Sequence, residues 1–330
     1  MKTYDNYFDE YITLTPSLYD CLNLSDYKNL KKSMENPLSL DHITKQKELH
    51  SKYLTILSKK KRPNIYDKTL IYICNDVLES YNYNFELTPI NHQENILYYI
   101  LEMASGEGIY TFNKKQDYYD FITKMCNFDE IVDSIIYNME KGITLKYTLP
   151  KILVKKLISQ IKELLTNKSY LNKSIKYKLN FDFNAKCASI FVPPLNKLHD
   201  FLKNKYLSKA RISIGMIGLP NGIREYKYLV KSSTTLKNIT VDSIHTYGLS
   251  EVKRISEQMN IIKDKLEFKG TLKEFNNWLD KRRDLNFKSK KTLLSDYKNE
   301  LKLINNTVMK TQFFSNVKGK CQIIPVPKSN

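Results

Sequence analysis

Apolar residues recur along the chain mostly at spacings of three and four, and interruptions are few, with 9 Gly and 10 Pro in 330 residues. That pattern predicts helix after helix with short connections. After Pro150, a residue suited to a first helical turn, Leu153, Leu157, Ile161 and Leu164 fall on one face while Lys155, Lys156, Lys162 and Glu163 fall largely opposite. This is the stripe of an amphipathic helix of about four turns. A second helix is expected to open at Pro193 and Pro194 and to carry Leu195, Leu198, Phe201, Leu202 and Tyr206, with His199 a surface or packing residue. A third starts at Thr240, a good N-cap, and runs through Ile244, Val252, Ile255, Met259, Ile262 and Leu266. Gly248 lies inside it, and because Gly costs about 1 kcal/mol relative to Ala in a helix interior, it signals close packing or a kink.

Gly270 ends that element, and Thr271 with Glu274 reads as a capping box for a short helix that buries Phe275, Trp278 and Leu279. A further helix is read from Ser289 to Lys310 on Leu293, Leu294, Tyr297, Leu301 and Ile304. Upstream, less regular helices are expected near residues 16–34, 41–61, 66–82, 90–104 and 115–140. The last ten residues read as extended, since Ile323, Ile324 and Val326 favour strands and Pro325 and Pro327 exclude a helix. The expected fold class is all-α, an irregular multi-helix assembly with a short extended segment near the C-terminus.

Composition supports a folded chain: 24 Tyr and 14 Phe are enough to build a core that a disordered chain would lack. No stretch approaches the roughly 18 consecutive apolar residues of a membrane span. The first residues, Met1 to Leu14, are acidic and Tyr-rich where a signal peptide would be apolar. A cytoplasmic protein with no membrane partner is therefore expected. Cys21, Cys74, Cys126, Cys187 and Cys321 are widely spaced and odd in number, which reads as reduced, mostly buried thiols. The net charge of +18 is unevenly spread. Residues 1–110 hold 12 basic and 15 acidic groups, residues 111–220 hold 19 and 9, and residues 221–330 hold 22 and 11. The excess is almost wholly Lys, without the Arg forks or basic-aromatic interleaving of a nucleic-acid module.

Catalytic templates are scarce. His42, His50, His92, His199 and His245 form no H-E-x-x-H, and none has a second His four residues away. His92 and Glu94 stand two apart, on different helical faces. No G-x-S-x-G elbow and no Walker sequence occurs. The Ser105–Gly108 segment, SGEG, is a loop without the rest of a phosphate-binding fingerprint.

From about Phe191 to Pro327 an ordered set of features stands out. A helix ends in Lys205 and Tyr206, a Gly-x-Pro-x-Gly turn follows at Gly218, Pro220 and Gly222, and a Tyr-x-Tyr sits at Tyr226 and Tyr228. Thr234 and Thr235 come next, then Thr240, Ile244 and His245, then Gly248, Leu249, Glu251 and Val252, then Gly270, Thr271, Glu274 and Phe275, and finally Ile324 to Pro327. This order resembles the family catalogued as domain of unknown function 885, helical proteins similar to zinc metallopeptidases. With a weaker match around Pro150, the resemblance covers roughly residues 90–330, leaving 1–89 as a weakly matched helical region of what reads as one continuous unit.

The resemblance implies the N-terminal half of such a protein, truncated before the family's metal motif, a His-Glu pair followed by Pro-Gly-His. No residue here matches that motif, so no catalytic or metal residue can be carried over to this chain. It would be a remnant, or one subunit of a split peptidase whose separately encoded catalytic half supplies the zinc; the isolated chain is expected to be inactive and to hold no cofactor. Tyr226 and His245 are the candidate cleft-lining residues, weighed against a purely packing, hydrogen-bonded role. A second reading is a basic protein that engages nucleic acid or another polyanion through residues 111–330, on the strength of its lysines.

Overall fold

Helices form where the three-and-four spacing of apolar residues places them. The computed structural model describes residues 2–22, 25–93, 96–106, 110–167, 171, 175–236, 238–313, 321 and 323. The helices are α1 (Lys2–Leu14), α2 (Leu18–Leu22), α3 (Leu40–Ser58), α4 (Ile65–Ser80), α5 (Ile96–Ser105), α6 (Lys115–Lys124) and α7 (Phe128–Thr144). They continue with α8 (Lys151–Asn167), α9 (Phe183–Phe201), α10 (Leu207–Lys209), α11 (Gly222–Thr234), α12 (Val241–Lys265), α13 (Leu272–Lys281) and α14 (Lys290–Ile304). Among the described residues there is no strand, and a single isolated bridge joins Pro150 to Arg211. The protein is all-α; the extended segment expected at the C-terminus lies almost wholly outside the described residues.

The chain divides into two units, residues 1–235 and 236–328. The main core of the first unit is built by α5 to α9. Phe121, Phe128, Phe183 and Phe191 are fully buried there. Phe128 and Phe191 meet edge to face with ring centroids 4.9 Å apart, a favoured aromatic geometry. Tyr206, also fully buried, accepts a hydrogen bond from the Leu149 amide at 2.9 Å, pinning the start of α8 to the end of α9. Lys151 donates its amide to the Arg211 carbonyl at 2.7 Å from the same junction. A smaller core gathers Tyr7, Leu49, Tyr53, Leu57, Leu70 and Cys74 from α1, α3 and α4. His50 organises it: Tyr7 donates its hydroxyl to Nε2 at 3.1 Å, and Nδ1 donates to the Gln46 carbonyl at 2.6 Å.

The helix expected to open at Pro193 and Pro194 begins ten residues earlier, where the Asp182 side chain accepts the Ala185 amide at 3.0 Å and caps α9. Both prolines sit inside the helix. An interior proline costs about 3 kcal/mol, and the full burial of Phe191, Leu195 and Leu198 around the pair offsets it. The cysteines also divide differently, with Cys74 and Cys187 buried and Cys126 and Cys321 exposed.

In the second unit α12 starts at Thr240 by a reciprocal cap with Ser243, and Thr271 and Glu274 form the capping box of α13. Phe275 is buried beside Phe268 and Trp278, at centroid distances of 5.4 and 5.7 Å. Gly248 departs from expectation: a Cβ added there meets nothing within 4 Å, so neither close packing nor crowding explains it. The apolar stripe of α12 departs too, since no residue of this 25-residue helix is buried.

Candidate functional site

The Gly-x-Pro-x-Gly segment shapes one cleft of the first unit. Arg211 anchors the loop ahead of it, donating from its guanidinium to the Thr148 carbonyl at 2.8 Å and to the Gly215 carbonyl at 2.7 Å. The backbone then closes on itself so tightly that a Cβ on Gly222 would lie 1.6 Å from the Met216 carbonyl oxygen, and one on Gly218 would lie 1.9 Å from Ser213 Oγ. Only glycine tolerates such approaches. The turn delivers the chain into α11, whose Asn221 N-cap makes no side-chain cap hydrogen bond.

One wall of the cleft is this turn, with Ile217, Leu219 and Pro220; the other is the end of α4 and the residues after it, with Glu79 and Tyr83. The space between measures about 640 Å³. Tyr228 joins the walls, its ring stacked on Tyr83 at 4.4 Å and 25° and its hydroxyl donating to the Asp76 carbonyl at 3.1 Å. Ser232 donates to Asp76 Oδ2 at 2.8 Å and Lys231 to Glu79 Oε2 at 2.9 Å, so three side chains of α11 clasp α4. Burial, with the Asp76 carboxylate nearby, pushes the Tyr228 phenol up to about 12. The hydrogen bond from Lys231 to Glu79 holds that ammonium above its ordinary range. The Arg224 guanidinium lies over the Tyr83 ring, 5.2 Å from its centroid, a cation–π contact. Arg224 and Lys227 line the cleft and make no ion pair among the described residues.

The lining thus sets two cations, Arg224 and Lys227, beside a stacked aromatic pair; among the described lining residues no nucleophile is paired with a base. Zinc, which the metallopeptidase resemblance implies, does not fit: among the described residues no three His, Cys, Asp or Glu side chains gather as a ligand set. A second cleft, about 330 Å³, lies between α8 and the end of α9 and is lined by Lys155, Lys162, His199 and Lys203 with Ile158 and Leu207.

Tyr226 lies on α11, 45% exposed, outside the cleft lining; Tyr228, two positions on, takes the place in the wall. His245 lies on α12 in the second unit, exposed. Neither is a buried packing residue. Arg224, Lys227 and Tyr83 carry no sequence signal of their own. The Tyr-x-Tyr motif marks the right turn of helix, and only the contact with α4 decides which tyrosine faces in.

On α12, Tyr247, Leu249, Val252, Ile255, Ile261 and Ile262 stand exposed. Among the described residues no helix is long and apolar enough to cross a membrane.

The family described as "Bacterial protein of unknown function (DUF885)" matches residues 24–330. Among solved structures the chain is similar to one titled "putative lipoprotein" from Colwellia psychrerythraea, with a TM-score of 0.71 and 18% identity, covering 94% of this chain and 60% of that one. At that identity the likeness shows a shared fold. The chain thus spans 60% of the length of that structure. No curated protein matches it.

Proposed function

The chain belongs to the bacterial family DUF885, and we propose that within it the chain is a non-catalytic helical portion of a metallopeptidase-like protein, completed by a separately supplied catalytic half. The observation that carries this reading is α12, a helix of 25 residues with an apolar stripe and no buried side chain. Soluble helices bury one face, and large contiguous exposed apolar patches mark surfaces where another protein element packs. A further helical layer on that stripe is the simplest cover. The solved structure of the same fold supports it, being longer than the part this chain matches. The metallopeptidase class rests on the ordered motif residues between Gly218 and Val252. Zinc would enter with the catalytic half, since the residues described here offer it no ligand set.

The test is reconstitution. The purified chain is assayed for zinc content and peptide hydrolysis alone, then mixed with a polypeptide corresponding to the unmatched part of the solved relative. Hydrolysis only in the mixture, with a stable complex on gel filtration, is the expected result. One tightly held zinc per chain with hydrolysis by the chain alone overturns the reading, as does a mixture that neither associates nor cleaves.

The lysine-lined cleft between α8 and α9 favours a second reading, a polyanion-binding protein. It requires binding to single-stranded DNA that weakens steeply with salt and is lost in the double variant Lys155→Gln, Lys203→Gln.

A further inference from the structure

We infer that the cleft at the start of α11 binds a small organic carboxylate whose flat apolar group lies against the Tyr83–Tyr228 stack. This does not depend on whether the chain is completed by a catalytic half, because every group it uses belongs to the first unit. The charge argument comes first. Arg224, Lys227, Lys231 and Glu79 line the cleft, and Glu79 is committed to Lys231 at 2.9 Å. Two cations, Arg224 and Lys227, are left without an ion pair among the described residues. Guanidinium presents a planar fork that matches a carboxylate with two parallel hydrogen bonds. The Arg224 fork matches one carboxylate, and phenyl phosphate, a dianion, tests whether the second cation at Lys227 sets the charge instead.

The apolar argument is independent. Tyr83 and Tyr228 present stacked rings to the cavity, Leu219 and Pro220 close the opposite wall, and Ile217 and Ile223 stand exposed in the lining. Exposed large apolar side chains around a concave, partly polar space are the composition of a ligand site. The guanidinium lies over the ring of Tyr83, so a carboxylate held by Arg224 carries its attached group toward the aromatic pair. A volume of about 640 Å³ accepts a molecule the size of an arylalkanoic acid. The rigid turn at Gly218 and Gly222 keeps the cavity preformed, which limits the ordering cost of binding.

Calorimetric titration of the full chain tests this with four probes: 3-phenylpropionate, its neutral amide, acetate and phenyl phosphate. Saturable binding of 3-phenylpropionate is expected, with the amide and acetate each weaker by roughly tenfold or more, the scale of a charge-assisted hydrogen bond or a buried ring. Arg224→Gln, on an exposed side chain with no hydrogen bond or ion pair among the described residues, should weaken 3-phenylpropionate by a similar factor and leave the amide unchanged. Tyr83→Leu should erase the advantage of 3-phenylpropionate over acetate. Lys197→Gln, whose lysine pairs with Asp133 away from the cleft, is expected to bind as the wild type does. Absence of saturable binding, equal binding of acid and amide, or phenyl phosphate binding more tightly than 3-phenylpropionate would each overturn the assignment.

Discussion

Lys124 and Asp20 make the most deeply buried ion pair described, and removing one partner exposes what the pair costs. The ammonium of α6 stands 2.7 Å from the carboxylate of α2, with side-chain exposures of 0% and 3%. Burial raises the Asp20 carboxyl above its ordinary value of 3.8, and Lys124 pulls it only partly back. Desolvation therefore outweighs attraction at Asp20. Replacing Lys124 with Met keeps the volume and leaves the buried carboxylate without its partner, a loss of about 3 to 5 kcal/mol from a total that is typically about 5 to 15. The carboxylate has one escape, which is to take up a proton. A carboxyl whose folded value exceeds its unfolded value is penalised above the folded value and relieved as the pH falls through it. The destabilisation by Lys124→Met should thus be largest at neutral pH and shrink toward about pH 5. Urea unfolding followed by far-ultraviolet circular dichroism, the first unit holding most of the helices, reads both numbers. The double variant Asp20→Asn, Lys124→Met should lose less than the two single losses combined, by about 1 to 3 kcal/mol. A loss below about 1 kcal/mol for Lys124→Met, or the same loss at both pH values, refutes the reasoning.

Three further outcomes are expected. Burial lowers both His42 and His50 below 6.5, so the unfolded chain binds protons there that the folded chain refuses; stability holds above that value and falls as the pH drops below it, and His50→Gln should flatten the slope in the same urea titrations. Gly222→Ala should destabilise by about 3 kcal/mol or more because its Cβ meets a backbone carbonyl, whereas Gly248→Ala, open on all sides, should stabilise by about 1 kcal/mol; equal thermal shifts for the two would contradict the geometry. Phe191→Ala, which empties a site between the rings of Phe121 and Phe128, should cost about 3 to 5 kcal/mol by chemical denaturation.

Helix existence was legible wherever local chemistry and burial agree. The Thr271–Glu274 box before α13 is satisfied by groups within three residues, and the Pro150 carbonyl accepts the Leu153 and Val154 amides at the start of α8, so a local reading reaches both starts. Pro193 and Pro194 show the opposite case: the local rule starts a helix at a proline, and the burial of Phe191 on one side and Leu195 on the other carries the helix through. The candidate cleft was half legible for the same reason. Gly218 and Gly222 announce a turn, and the turn is there. The partners of Tyr228, namely Asp76 and Tyr83, lie about 150 positions away and enter only when α11 packs on α4.

A different kind of limit applies to α12. Its apolar residues recur with helical spacing whether the face is covered or open, because the same side chains serve a core and an interface. The two roles separate in a mutant. Val252 and Ile255, both exposed, contribute little to the fold of this chain, so Val252→Lys with Ile255→Lys should change its unfolding free energy by no more than about 0.5 kcal/mol per site. If a further helical layer covers that face, the same pair of charges is buried without partners on association, which costs several kcal/mol and abolishes the complex with the second polypeptide at micromolar concentrations. Gel filtration of the mixture decides it. A variant that unfolds shows α12 to be core in this chain already, and one that folds and still assembles shows the stripe to be bare surface; only intact folding with lost assembly fits a face built for cover.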